Sequence, residues 1–101
     1  MKENHDDFLA DLPEDEKYEY EQMLVDNAFE NAYKVLTKKT TFEKLMDAKD
    51  KFGIKAIMIY DPSEEPDEDV WDDVIYYYED LEEYERCAEL LKLKNKKFEN
   101  V

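Results

Sequence analysis

The sequence predicts a small, mainly α-helical domain of three to four helices, and three observations carry that expectation. Apolar residues recur at helical spacing in two long stretches. Helix-start signals precede them, and the only Gly, Gly53, stands where a helix would stop. A chain of 101 residues has room for one modest core. With 43% hydrophobic content, five Phe, eight Tyr and one Trp, it is too rich in apolar groups for a wholly disordered chain. Residues 1–101 are read as one domain, with 1–11 polar and expected to fray.

The first helix is announced by Asp11-Leu12-Pro13-Glu14. Asp at the cap accepts an orphan N–H, Glu three residues on can reciprocate, and Pro is tolerated in a first turn. Tyr18, Val25, Phe29, Ala32 and Leu36 then fall on one stripe, widened by Ala28 and Val35. A helix over 13–37 is expected, ending in Lys38-Lys39, whose charge suits the C-terminal dipole.

Thr40-Thr41-Phe42-Glu43 reads as a second capping box. Phe42, Leu45, Met46 and Phe52 would line a short helix with Gly53 as its left-handed stop. Residues 54–60, Ile-Lys-Ala-Ile-Met-Ile-Tyr, have the length and β-branched content of a short strand. No second strand exists to pair with it, so a short buried helix is preferred, with the strand kept as the alternative. Two prolines make Asp61 to Asp67 a turn.

Val70, Val74, Tyr77, Leu81, Tyr84, Ala88 and Leu91 recur in steps of four and three, a heptad seam thickened by Trp71, Ile75 and Tyr78. Trp71, Val74, Tyr78, Tyr84 and Leu91, with Cys87 at a small-residue position, also resemble a single tetratricopeptide-type helical hairpin over about a quarter of the chain. That resemblance implies a turn near Glu82-Glu83, which lacks the usual Gly, and a stacked neighbour repeat that the chain does not supply. With no Gly or Pro between Asp67 and Lys94, one uninterrupted amphipathic helix is preferred. The basic tail, with residues 95–101 at its end, is expected to fray.

Charge is the unusual feature, 29 acidic residues against 14 basic for a net of −15. It is unevenly spread, for residues 61–89 carry 14 acids against Arg86 alone, a net of −13. Such a chain repels polyanions, which argues against direct binding to nucleic acid or an anionic membrane and favours a partner protein with a basic surface. The surface expected to meet it comprises Asp67, Glu68, Asp69, Asp72, Asp73, Tyr76, Glu79, Asp80, Glu82 and Glu83.

Catalytic equipment is sparse. His5 is the sole histidine and lies in the polar terminus, Ser63 is the sole serine and sits in a turn, and Cys87 fits a packing position. One Gly cannot build a phosphate loop. Asp61, Ser63, Glu65 and Asp72 imitate positions 1, 3, 5 and 12 of a calcium loop, but Pro66 occupies the position that needs Gly and Asp72 the one that needs Glu. Asp67-Glu68-Asp69 could at most hold Ca²⁺ weakly. No enzyme activity, cofactor or dedicated metal site is expected.

A lone cysteine and no apolar run of membrane length lead to a cytoplasmic expectation, as does a first segment with no signal-peptide pattern. The functional expectation is an acidic interaction module, an inhibitor or adaptor. In composition the chain resembles phage-encoded DNA mimics, with Glu79 and Glu83 about 6 Å apart along one helix as phosphate stand-ins. The alternative is a self-assembling homo-oligomer, such as a homodimer, built on the 70–91 seam.

Overall fold

The computed structural model describes residues 13–48 and 56–99. Four helices lie among them: α1 (Glu14–Leu36), α2 (Phe42–Asp47), α3 (Glu68–Asp80) and α4 (Tyr84–Phe98), with no strand. The mainly helical class read from the sequence holds. Asp11, Phe52 and Gly53, invoked above as cap, face residue and stop, lie outside the described residues, as does the terminus expected to fray.

Helix α1 begins after Pro13, with Glu14, Asp15 and Glu16 in its first turn complementing the dipole. It ends in a Schellman motif. The N–H of Lys39 reaches back to the Lys34 carbonyl at 2.8 Å and that of Lys38 to Val35 at 3.1 Å. The motif needs a left-handed residue at its pivot, and Lys38 takes φ 63° there without being Gly. Helix α2 is capped by the Thr41 hydroxyl, which accepts from the Lys44 N–H. The cap thus falls one residue later than the capping-box reading placed it, which puts Lys44 rather than Glu43 at the reciprocating position.

Helix α3 starts where Asp67 accepts the Val70 N–H at 3.2 Å. It stops at Asp80, and the expectation of one uninterrupted helix to Lys94 is corrected here. The chain reverses through Leu81, Glu82 and Glu83 by a second Schellman motif, Glu83 N–H to Tyr78 carbonyl and Glu82 N–H to Glu79 carbonyl, both 2.9 Å. Glu82 is the pivot, at φ 59°. The hairpin alternative, with its turn near Glu82-Glu83, is the one the chain adopts. Folding back lets Trp71 and Leu90 share one core, which a straight helix could not do.

The tail reading is corrected as well, because α4 runs through 95–98 to Phe98. Phe98 packs edge-on to Trp71 at 6.4 Å between ring centroids, and Lys96 and Lys97 suit the C-terminal dipole.

The core joins Ala32, Tyr33 and Leu36 of α1, Trp71, Val74 and Tyr78 of α3, and Leu90 of α4. The apolar stripe of α1 is only half used. Ala32 and Leu36 are buried and Phe29 stacks on Tyr77 at 4.1 Å, whereas Tyr18 and Val25 are exposed. The heptad seam also fails beyond Tyr77, since Leu81, Tyr84, Ala88 and Leu91 are all exposed. Helix α4 instead turns Leu90 inward, with Cys87, Leu93 and Phe98 around it.

Of residues 54–60, those described are 56–60: Ala56 is in a 3-10 turn and 57–60 are irregular, so the preferred helix does not extend over them and they form no strand. Ala56 is buried, and Ile59 and Tyr60 pack against the core. The need for a pairing strand is relieved by α1, where the buried Asn31 amide donates to the Ile57 carbonyl at 2.9 Å.

Candidate functional site

Acidic side chains divide into two sets by what they touch. The first set ties the helices together. Glu30 of α1 accepts from both ends of the Arg86 guanidinium, at 2.6 and 3.4 Å, and from the Tyr78 hydroxyl at 3.1 Å. Glu89 of α4 accepts from the Tyr33 hydroxyl and the Lys39 ammonium, both at 2.6 Å. Asp26 accepts from the Tyr77 hydroxyl and from Gln22.

Burial works to raise the Glu30 carboxyl, but the Arg86 bond and charge, with Tyr78 and Lys34, hold it below its ordinary value. Hydrogen bonds from Lys39 and Tyr33 lower Glu89 in the same sense. Tyr77 and Tyr78 are pushed up by burial and then by Asp26 and Glu30 respectively, so both stay protonated donors. Sequence reading missed Asp26, Glu30 and Glu89. The available signal was their neighbourhood, for Asp26 and Glu30 each stand three positions before an aromatic, Phe29 and Tyr33, on the same helix.

The ten residues expected to form a surface fall into both sets. Asp67 is consumed as the α3 cap, while Glu68 and Asp72 meet Lys94 at 3.5 and 2.7 Å. The Lys94 ammonium is raised by Asp72 first and Glu68 second. Asp69, Asp73, Tyr76 and Asp80 stand in steps of four, three and four on one exposed side of α3. Glu79 is exposed near the end of α3, and Glu82 and Glu83 are exposed in the turn. Among the described residues none of Asp69, Asp73, Glu79, Asp80, Glu82, Glu83 or Glu85 has a cation within salt-bridge distance. The Glu79–Glu83 pair, expected one turn apart along a single helix, is corrected: Glu79 belongs to α3 and Glu83 lies past the chain reversal, so no one helix carries both.

The imitation of a calcium loop is dispersed. Asp61 accepts from the Ser63 N–H and hydroxyl, Glu65 binds Lys97 and Asp72 binds Lys94. Among the described residues no group of three or more His, Cys, Asp or Glu converges as metal ligands would. Cys87 is half-buried, its thiol pushed up by burial and then by Glu79, and its Sγ lies 3.6 Å from the Ile75 carbonyl. A raised thiol packed on backbone is a weak nucleophile.

A cleft of about 610 Å³ lies elsewhere, between the C-terminal end of α1, the start of α2, the 62–66 turn and the end of α4. Trp71 forms one wall, and its indole N–H is buried without a hydrogen-bond partner among the described residues. No described helix is long and apolar enough to cross a membrane.

Comparison with family models, with curated proteins and with solved structures gives no match for this chain. The site itself therefore carries the functional reading.

Proposed function

We propose that this chain is a non-enzymatic acidic interaction module that binds a basic surface of a partner protein, as an inhibitor or adaptor would. One observation carries the reading. Acids that stabilise the fold have cations or hydroxyls beside them, while those around Tyr76 on the outer side of the hairpin have none among the described residues. Apart from Asp69, whose first-turn position suits the α3 dipole, these acids repel one another across one helix face without compensation in the fold. A cationic partner relieves that repulsion on binding. An exposed aromatic amid carboxylates is the arrangement of an interface anchor within a polar rim.

The test reverses charge at Asp69, Asp73 and Asp80 to Lys, with a control reversing Glu14, Asp15 and Glu16 on the far end of α1. Both proteins and the parent are immobilised and offered host lysate, and bound proteins are eluted by salt. The reading expects a partner held by the parent and the control, lost by the α3 variant and released at modest salt. Retention by all three, or by none, overturns it. Competition by duplex DNA would mark the partner as a nucleic-acid-binding protein and favour the narrower form in which carboxylates imitate phosphates.

Self-assembly on the 70–91 seam has less support, since the seam is interrupted at Leu81–Glu83 and a second copy would add a second set of the same acids. Sedimentation of the purified protein measures it directly.

A further inference from the structure

The geometry points to the groove on the outer side of the α3–α4 hairpin as a docking site for a basic amphipathic helix of a partner protein. This rests on the interaction-module reading above and names the kind of partner it takes.

A helical hairpin has two grooves, one on each side. Helix α1 lies in the first and straddles both arms. Its Tyr33 meets the Tyr78 ring of α3 and the Glu89 carboxylate of α4, and its Glu30 meets Tyr78 and Arg86. The arms meet each other through Ile75 with Cys87, Asp72 with Lys94 and Trp71 with Phe98. Stepping 100° per residue from these contacts, the side of each arm turned away from α1 carries Tyr76 on α3 and Tyr84, Ala88 and Leu91 on α4. Tyr84, Ala88 and Leu91 are residues the seam reading had placed in a core, whereas Tyr76 was expected at the surface. Tyr76 is 59% exposed, Tyr84 62% and Leu91 46%. Among the described residues neither tyrosine has a hydrogen bond or ring partner.

Charge selects the occupant. Among the described residues, seven acids that lack an ion pair lie along this hairpin, and Asp73, Asp80 and Glu79 flank Tyr76 directly. A second copy of the chain would bring the same acids against them. A helix with Lys or Arg on its flanks and an apolar stripe along its centre satisfies both the rim and the floor. From Tyr84 to Leu91 the floor runs about 10 Å, so roughly two to three turns of helix cover it.

The probe is a fluorescent peptide of about 18 residues, long enough to hold a helix, with Leu at i, i+3 and i+4 spacing and Lys elsewhere. Its control has the same composition with the Leu positions scrambled. Binding is read by anisotropy at about 150 mM salt, helicity by circular dichroism, and the bound face by amide shifts. We expect the patterned peptide to bind at least about tenfold more tightly than the scrambled one. It should gain helicity, perturb Tyr76, Tyr84, Ala88 and Leu91, and lose about tenfold or more in affinity to Ala88→Arg, an exposed substitution that leaves the core intact.

Equal binding of both peptides overturns the groove while leaving the acidic-module reading standing. Shifts confined to the acids, or an unaffected Ala88→Arg variant, overturn it equally. So does a dimer of the parent that Ala88→Arg dissolves, which would make a second copy the occupant. If neither peptide binds even at low salt, the groove and the module fall together.

Discussion

Glu30 and Arg86, 56 positions apart in the chain, meet through two nitrogens and two oxygens, the shorter contact at 2.6 Å. The guanidinium also lies over the rings of Tyr33 and Tyr78, 4.4 and 5.0 Å from their centroids. One cation thereby fastens α4 to α1 and α3 at once, and it is the only basic residue in the stretch from 61 to 89.

Replacing Arg86 by Met keeps much of the apolar stem and removes the fork. Glu30 would retain only Tyr78 and Lys34 as partners. We expect a loss of about 2 kcal/mol in urea unfolding, the scale of a charge-assisted hydrogen bond discounted for partial exposure. Lys34→Met, which loses a 3.7 Å pair on the surface, should cost about 0.5 kcal/mol or less.

Acid should erase the contribution of Glu30. Its folded value lies below the ordinary 4.5, so its stabilisation is fully present above that value and disappears as pH falls through the lowered folded value. The parent and Glu30→Gln should therefore differ in unfolding free energy at neutral pH and converge in the acid range below 4.5. A difference that stays constant down the titration would mean the carboxylate charge contributes nothing.

Leu90 and Leu91 are adjacent, yet the hairpin gives them opposite fates: Leu90 is 0% exposed and Leu91 is on the outer groove. Leu90→Ala should cost about 2–5 kcal/mol and Leu91→Ala within about 0.5 kcal/mol. A continuous seam would reverse that order, so the pair of melting curves discriminates the two registers.

Glu82→Gly should stabilise the hairpin by up to about 1 kcal/mol. The left-handed pivot strains any side chain bearing a Cβ, and relief of that strain is partly offset by the added freedom of Gly in the unfolded chain. Removing one uncompensated acid acts in the same direction. Glu82→Pro cannot take a positive φ and should open the turn.

Added salt should raise the melting temperature. A net charge of −15 repels itself, and screening falls most heavily on the exposed acids of α3 and the turn. A melting temperature that drops between low and moderate salt would show the ion pairs of Glu30, Asp72 and Glu89 outweighing that repulsion.

Legibility in the sequence followed the physics of each element. Periodicity located α1 and α3 because Ala32, Leu36, Val74 and Tyr78 recur on buried faces. The hairpin turn was hidden because its pivot is Glu82, where Gly is the usual marker. The spacing from Tyr77 through Leu81 to Leu91 also continued across the break in unbroken steps of four and three. A countersignal was present: Glu79, Glu82 and Glu83 would repel one another on one helix, whereas acids at the start of a new one are favourable. The exposed acids of the site were legible from charge alone. The structural acids were not, since a carboxylate's partner 50 or more positions away leaves no local pattern.

Length mismatch among the helices has its own outcome. Helix α1 spans 23 residues against 13 and 15 for the arms it packs on, and its buried residues begin only at Ala28. The turns before that point carry no side-chain cap at Pro13 and place Tyr18 in water. A single rod thus lives on two clocks: its leading turns can exchange their amide protons by opening alone, while those from Ala28 onward must wait for the whole molecule to unfold.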